Sequence, residues 1–183
     1  MPPVQIAIYV VLGLALAISF VTDVREQMIY DVVTYPTIVI CLLLRLALVG
    51  WRGPNFEFSL LSGLIGFAIG FGLFLIMFLM GGMMGGDVKL MGAVGAALGL
   101  PGIVYALMFT ALVGGLEAIL FLLWEGSLLK TLSNAGKRML HALHIKRLEG
   151  PEPERKYVPY GVAIALGSVW AVYYDLTAPL ISR

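Results

Sequence analysis

Residues 58–80, FSLLSGLIGFAIGFGLFLIMFLM, run for 23 positions without a charged side chain, and residues 81–90, GGMMGGDVKL, follow directly. Wound as a helix, the first stretch rises about 34 Å, enough to cross a hydrocarbon core of roughly 30 Å. Gly63, Gly66 and Gly70, with Gly72 nearby, predict a helix that packs closely against a neighbour through small residues. The second stretch brings an acid, Asp87, to the mouth of the next apolar run behind Gly85 and Gly86. An ionisable side chain at membrane depth is costly unless it is paired, hydrated or employed, so Asp87 reads as functional.

Outward from these residues the chain stays apolar. Of its 183 residues 60% are hydrophobic and 13% charged, with a mean hydropathy of +0.96, which excludes a water-soluble globule. Apolar runs recur at 4–21, 33–49, 58–80, 88–100, 103–124 and 158–176. The expected fold is all-α: a polytopic membrane protein of about six transmembrane helices in one domain spanning 1–183. The first run lacks the basic start and small-residue cleavage site of a signal peptide and reads as a retained span. The fourth is short and rich in Gly and Ala, and Pro101-Gly102 turns it into the fifth. Cys41, the sole cysteine, lies in an apolar run and reads as an inert buried thiol.

Orientation follows from cations in alternate connections. One side carries Arg25, Lys89, Lys130, Lys137, Arg138, Lys146, Arg147, Arg155 and Lys156, and the other Arg45, Arg52 and Arg183, nine against three. The N-terminus is therefore expected outside, with Asp87 and a second acid, Asp23, both near the cytoplasmic face. The long connection over about 125–157 places Leu128, Leu129, Leu132, Met139, Leu140 and Leu143 at helical spacing among cations. It reads as a cytoplasmic amphipathic helix lying in the headgroups of the bilayer, or as a solvated helical hairpin.

Asp23 and Asp87 are 64 residues apart in sequence but share a leaflet at the ends of the first and fourth spans. Adjacent helix ends would bring them together. Two neighbouring carboxylates share a proton: the ionised one activates water and the protonated one polarises a carbonyl, with no metal or organic cofactor. Gly85 and Gly86 would let a substrate backbone approach the carboxylate. Around this dyad stand candidate supports whose roles are open. Glu117, inside the fifth span, supports the dyad, lines a water path or bonds a neighbouring helix. Asp31 caps the second span or backs the dyad, and Lys89 tunes Asp87 or anchors the helix at the interface. His141 and His144 have no third ligand in view and read as interfacial residues.

Gly86-Asp87-Val88-Lys89-Leu90-Met91, followed by Gly92-Ala93, resembles the second-aspartate motif of the type 4 prepilin peptidase family. Asp23-Val24-Arg25-Glu26-Gln27-Met28-Ile29-Tyr30-Asp31 is similar to its first-aspartate motif, and residues 158–167, VPYGVAIALG, to its final-span signature. The departures are Met84 for the first Gly of Gly-x-Gly-Asp, Tyr30 for a usual Pro and Val162 for a common Pro. The chain lacks the added cysteine-bearing cytoplasmic region, so it resembles the short, cleavage-only branch, of which the peptidases serving tight-adherence (Flp-type) pili and the archaeal preflagellin peptidases are examples. The resemblance implies an aspartic endopeptidase of the inner membrane that removes the basic leader of a prepilin at the cytoplasmic face, using Asp23 and Asp87. Its expected partners are the prepilin, the bilayer and pilus assembly machinery, with no nucleic acid and no cofactor.

Two other readings stay in view. A presenilin-like or signal-peptide-peptidase-like Gly-x-Gly-Asp protease would carry a Tyr-Asp motif inside a helix, whereas Tyr30-Asp31 stands at the start of a span. A small proton-coupled carrier using Asp23, Asp87 and Glu117 would be expected to have duplicated halves, and no duplication is evident.

Overall fold

The computed structural model describes residues 3–52, 56–80, 82–124 and 160–181. Every extended element among them is helical: α1 (Pro3–Glu26), α2 (Asp31–Leu48), a single 3₁₀ turn (Phe56–Phe58), α3 (Leu60–Leu79), a run Gly85–Trp124, and α6 (Tyr160–Ile181). The long run leaves helical geometry at Gly99 and Leu100, and its two arms are called α4 (residues 85–98) and α5 (residues 101–124). The expected amphipathic connection at 125–157 lies outside the described residues.

Among the described residues four runs are long and apolar enough to cross a membrane: Pro3–Glu26, Asp31–Leu48, Leu60–Leu79 and Gly85–Leu120. The count of about six expected from the sequence is not reached among them. Gly85–Leu120 counts as one run although its helical geometry breaks at Gly99 and Leu100, and α6, with Tyr160, Tyr173, Tyr174 and Asp175 along it, falls short over its described residues. The chain divides into two compact units, Met1–Gly114 with Pro159–Arg183, and Gly115–Val158. The first holds α1 to α4, most of α5, and α6. Of the second, only the end of α5 is described.

Within the first unit α3 and α4 meet backbone to backbone. A Cβ built on Gly66 would stand 2.3 Å from the Gly95 carbonyl oxygen, and one on Gly70 2.6 Å from that of Met91. Only glycine permits this approach, as the spacing in residues 58–80 predicts. The start of α3 is capped by Ser59, whose hydroxyl accepts from the Ser62 amide at 3.3 Å.

The turn between α4 and α5 begins two residues before Pro101, at Gly99, whose φ of +64° suits a residue without a side chain. Arg45 stitches it in place. This side chain, 1% exposed, donates to the carbonyls of Ala96 (3.0 Å), Ala97 (2.6 Å), Glu57 (2.7 Å) and Ser59 (3.2 Å). The end of α4 leaves carbonyls without helical partners, and a guanidinium matches them in both hydrogen bonding and charge. Arg45 is thus no loop cation, as the orientation count took it to be. Its removal leaves Arg52 and Arg183 against the same nine, so the asymmetry grows.

Helices α1 and α6 run antiparallel. At one end Asp175 accepts from Gln5 Nε2 at 2.8 Å and from the Tyr9 hydroxyl at 2.5 Å, satisfying a carboxylate that would otherwise be costly in an apolar bundle. At the other end Asp23 meets the start of α6. Ile8, Leu12 and Leu16 of α1, Met91 and Val94 of α4 and Ile164 of α6 belong to one buried apolar cluster.

Candidate active site

Asp23 lies in the last turn of α1 and Asp87 in the first turn of α4, each 4% exposed. Both line one cavity of about 180 Å³, together with Gln27, Met28, Ile29, Met84 and Gly86. Residues far apart in sequence thus present two carboxylates to the same space.

The chain between α1 and α2 makes this meeting possible. Helix α1 ends when the Gln27 amide bonds to the Asp23 carbonyl at 2.9 Å and Gln27 takes φ +52°, a left-handed conformation that costs a residue with a side chain roughly 1 kcal/mol. The chain therefore doubles back, and Ile29 lands on Gly86. A Cβ on Gly86 would lie 2.9 Å from the Ile29 Cβ. The expected use of Gly86 was to admit a substrate backbone, whereas here its bare face admits Ile29. At Gly85 an added Cβ would make only an ordinary 3.8 Å contact with the Phe78 ring, so space remains there.

Asp87 is held by the residue three before it. The Met84 amide donates to Asp87 Oδ2 at 3.0 Å and the Asp87 amide donates to the Met84 carbonyl at 3.2 Å. This is half of a capping box, with the acid reaching back to the backbone at the helix start. Met84 supplies main-chain atoms to the carboxylate, and glycine is not required for that task.

Asp23 faces a second helix N-terminus. The amides of Gly161 and Val162 in α6 are directed at its carboxylate, while Oδ2 is buried without a donor at full hydrogen-bond geometry among the described residues. Free amides and the helix dipole both favour negative charge at such a position.

Asp31 and Lys89 form a pair beside the cavity without lining it. Lys89 Nζ lies 2.6 and 2.8 Å from the two oxygens of Asp31 and 5.2 Å from the centre of the Tyr35 ring. Tyr30 occupies the N-cap position of α2 with no side-chain cap, so the Asp31 carboxylate serves Lys89 and not the helix end. The Tyr30 hydroxyl donates to Glu26, and that bond raises the phenol above its ordinary range. Glu117 stands on α5 in the second compact unit, described apart from the carboxylates. His141 and His144 lie outside the described residues.

Gln27, Met28 and Ile29 were not singled out from the sequence as lining residues, nor Gly161 and Val162 as neighbours of Asp23. A polar residue followed by Met-Ile carries no signature of a left-handed turn. The Tyr160-Gly161 step at the head of an apolar run was the one visible hint of close approach.

Two carboxylates in a shallow cavity, each set against a helix N-terminus, suit proton transfer to and from a water and an acyl group. The family model described as the type IV leader peptidase family matches residues 10–119, more than half of the chain. The match holds Asp23, Asp31, Gly85, Gly86, Asp87, Lys89 and Glu117 and stops short of α6. Nothing among the curated proteins or the solved structures matches the chain.

Proposed function

The chain belongs to the type IV leader peptidase family, and from that premise we propose that it is an aspartic endopeptidase that cuts the basic leader from an Flp-like prepilin. The observation that carries the reading is the convergence of Asp23 and Asp87 on one cavity of about 180 Å³.

In the proposed reaction the ionised carboxylate takes a proton from water as the water oxygen bonds to the scissile carbonyl carbon. The protonated carboxyl donates to the carbonyl oxygen. Collapse of the tetrahedral adduct re-forms the carbonyl, breaks the C–N bond and passes a proton to the leaving amine. Neither a metal nor an organic cofactor enters the scheme. Gly85 and Gly86 stand beside Asp87 in the chain, the Asp31–Lys89 pair ties neighbouring helix starts together without entering the cavity, and Glu117 is a candidate support further along the chain.

A prepilin presents a basic leader before an apolar helix of about 20 residues, so its junction lies at a membrane interface. We place six crossings in the inner membrane, the N-terminus outside and the cavity near the cytoplasmic face. The cation asymmetry supports this orientation. Asp31, bound to Lys89 and absent from the cavity lining, lends no support to a Tyr30-Asp31 motif as the first catalytic element.

The test is incubation of purified protein with a candidate prepilin and mass mapping of the new N-terminus. Cleavage between leader and apolar helix is expected, and it is expected to vanish in Asp23→Asn and in Asp87→Asn. Full cleavage by either variant would falsify the dyad.

A further inference from the structure

We propose that Gly161 is a positioning residue for Asp23: its missing side chain lets the first turn of α6 hold the carboxylate in the cavity. The proposal rests on the peptidase reading, but concerns a helix that the family match does not reach.

A Cβ on Gly161 would stand 2.6 Å from Asp23 Oδ2, 2.7 Å from Cγ and 3.0 Å from Cβ. Among the described glycines no other has three atoms of a carboxylate side chain as its nearest neighbours. Gly161 is buried in the first turn of α6, where amides have no partner within the helix. The amides of Gly161 and Val162 are turned to Asp23 instead. Asp23 is 4% exposed and its Oδ2 has no full hydrogen bond among the described residues. Among the described residues, this approach and the wall of the cavity are what fix where that oxygen points.

Two of the atoms in the way, Oδ2 and Cγ, belong to a carboxylate that can turn about its side-chain bonds, while the third, the Asp23 Cβ, can give only by a few tenths of an ångström with its own helix. Alanine at 161 is therefore accommodated mainly by swinging the carboxylate aside, with a small adjustment of α1 against α6. The φ of Gly161 is not in the left-handed region, and alanine is the better helix former by roughly 1 kcal/mol. A glycine kept only for packing predicts a Gly161→Ala protein that is as stable as wild type and as active. A positioning glycine predicts one that is as stable and nearly inactive, because a displacement of about 1 Å at a reacting group costs on the order of 100-fold.

The experiment uses the full chain in detergent micelles, comparing wild type, Gly161→Ala, Asp23→Asn and Gly13→Ala. Gly13 has open space around its Cβ position and controls for a glycine-to-alanine change within a span. Two readouts are taken: kcat and KM on a prepilin, and the rate at which dicyclohexylcarbodiimide labels Asp23 relative to Asp87, read by mass spectrometry. The expected result for Gly161→Ala is a kcat lower by about 100-fold with little change in KM or melting temperature, and Asp23 labelled severalfold faster as it leaves the amides. Wild-type kcat together with unchanged labelling would overturn the proposal. The labelling needs no peptidase activity, so absence of cleavage by wild type sinks the functional reading while the labelling ratio still decides the position of Asp23.

Discussion

Ile29 occupies the space that a side chain at Gly86 would need, its Cβ 2.9 Å from where the new Cβ would stand. This contact closes the loop between α1 and α2 over the start of α4, and with it draws Asp23 and Asp87 to one cavity. Gly86→Ala is expected to lower kcat/KM by about 100-fold by shifting one carboxylate from the other, at a cost in stability of about 1–3 kcal/mol for overpacking. The contacting atom is the Cβ of Ile29, so Ile29→Gly and not Ile29→Ala should restore activity in the double variant. Peptidase kinetics of the four proteins check this.

Asparagine at 87 retains an oxygen able to accept the Met84 amide now bonded at 3.0 Å. Asp87→Asn is therefore predicted to melt within about 1 kcal/mol of wild type, while cleavage falls by roughly 1000-fold or more as the proton-transfer group is lost. Thermal unfolding in micelles and a cleavage assay separate the two effects. A variant that unfolds would show that the carboxylate charge, and not only its acceptor geometry, holds the start of α4.

Arg45 bonds four backbone carbonyls from a position 1% exposed. Arg45→Met strips those acceptors of their donor, and each buried orphan costs about 1–3 kcal/mol. The expected outcome is a loss of at least about 3 kcal/mol and a melting transition too low to measure at growth temperature. Arg45→Lys, with one ammonium for four carbonyls, should fall between. Unfolding curves for the three proteins order the series.

The Lys89 and Asp31 pair, 2.6 Å apart, is partly exposed. Such a pair contributes about 0.2–1 kcal/mol, less in salt. Asp31→Asn and Lys89→Met are predicted to reduce stability by that small amount, with the difference from wild type shrinking at high ionic strength. Neither residue lines the cavity, so kcat should stay within a few-fold of wild type. A larger drop in kcat would mean that the pair reaches the reacting groups.

The two acids at the centre of these predictions were legible in the sequence because an aspartate in an apolar chain stands out against its background. The close seam of α3 and α4 was legible too, since Gly63, Gly66 and Gly70 repeat at a helical spacing. Arg45 was not. A cation at the end of an apolar run looks the same whether it anchors in headgroups or turns inward, and only the carbonyls of Ala96 and Ala97, some fifty residues on, distinguish the cases. Asp31 is ambiguous for a similar reason: a short acid at a helix start suits a cap, and the sequence does not reveal that Lys89, 58 positions on, bonds both its oxygens. The break at Gly99 was assigned to Pro101, the stronger punctuation, although the glycine supplies the left-handed turn.

Asp175 meets Gln5 across 170 positions of chain and Tyr9 across 166, and Asp23 meets Gly161 at the opposite end of the same helix pair. Helix α1 therefore precedes, by most of the described fold, the helix that satisfies its polar side chains. In the proposed enzyme the pocket around Asp23 is complete only once α6 has docked, which makes competence a property of the assembled bundle and not of its first helices.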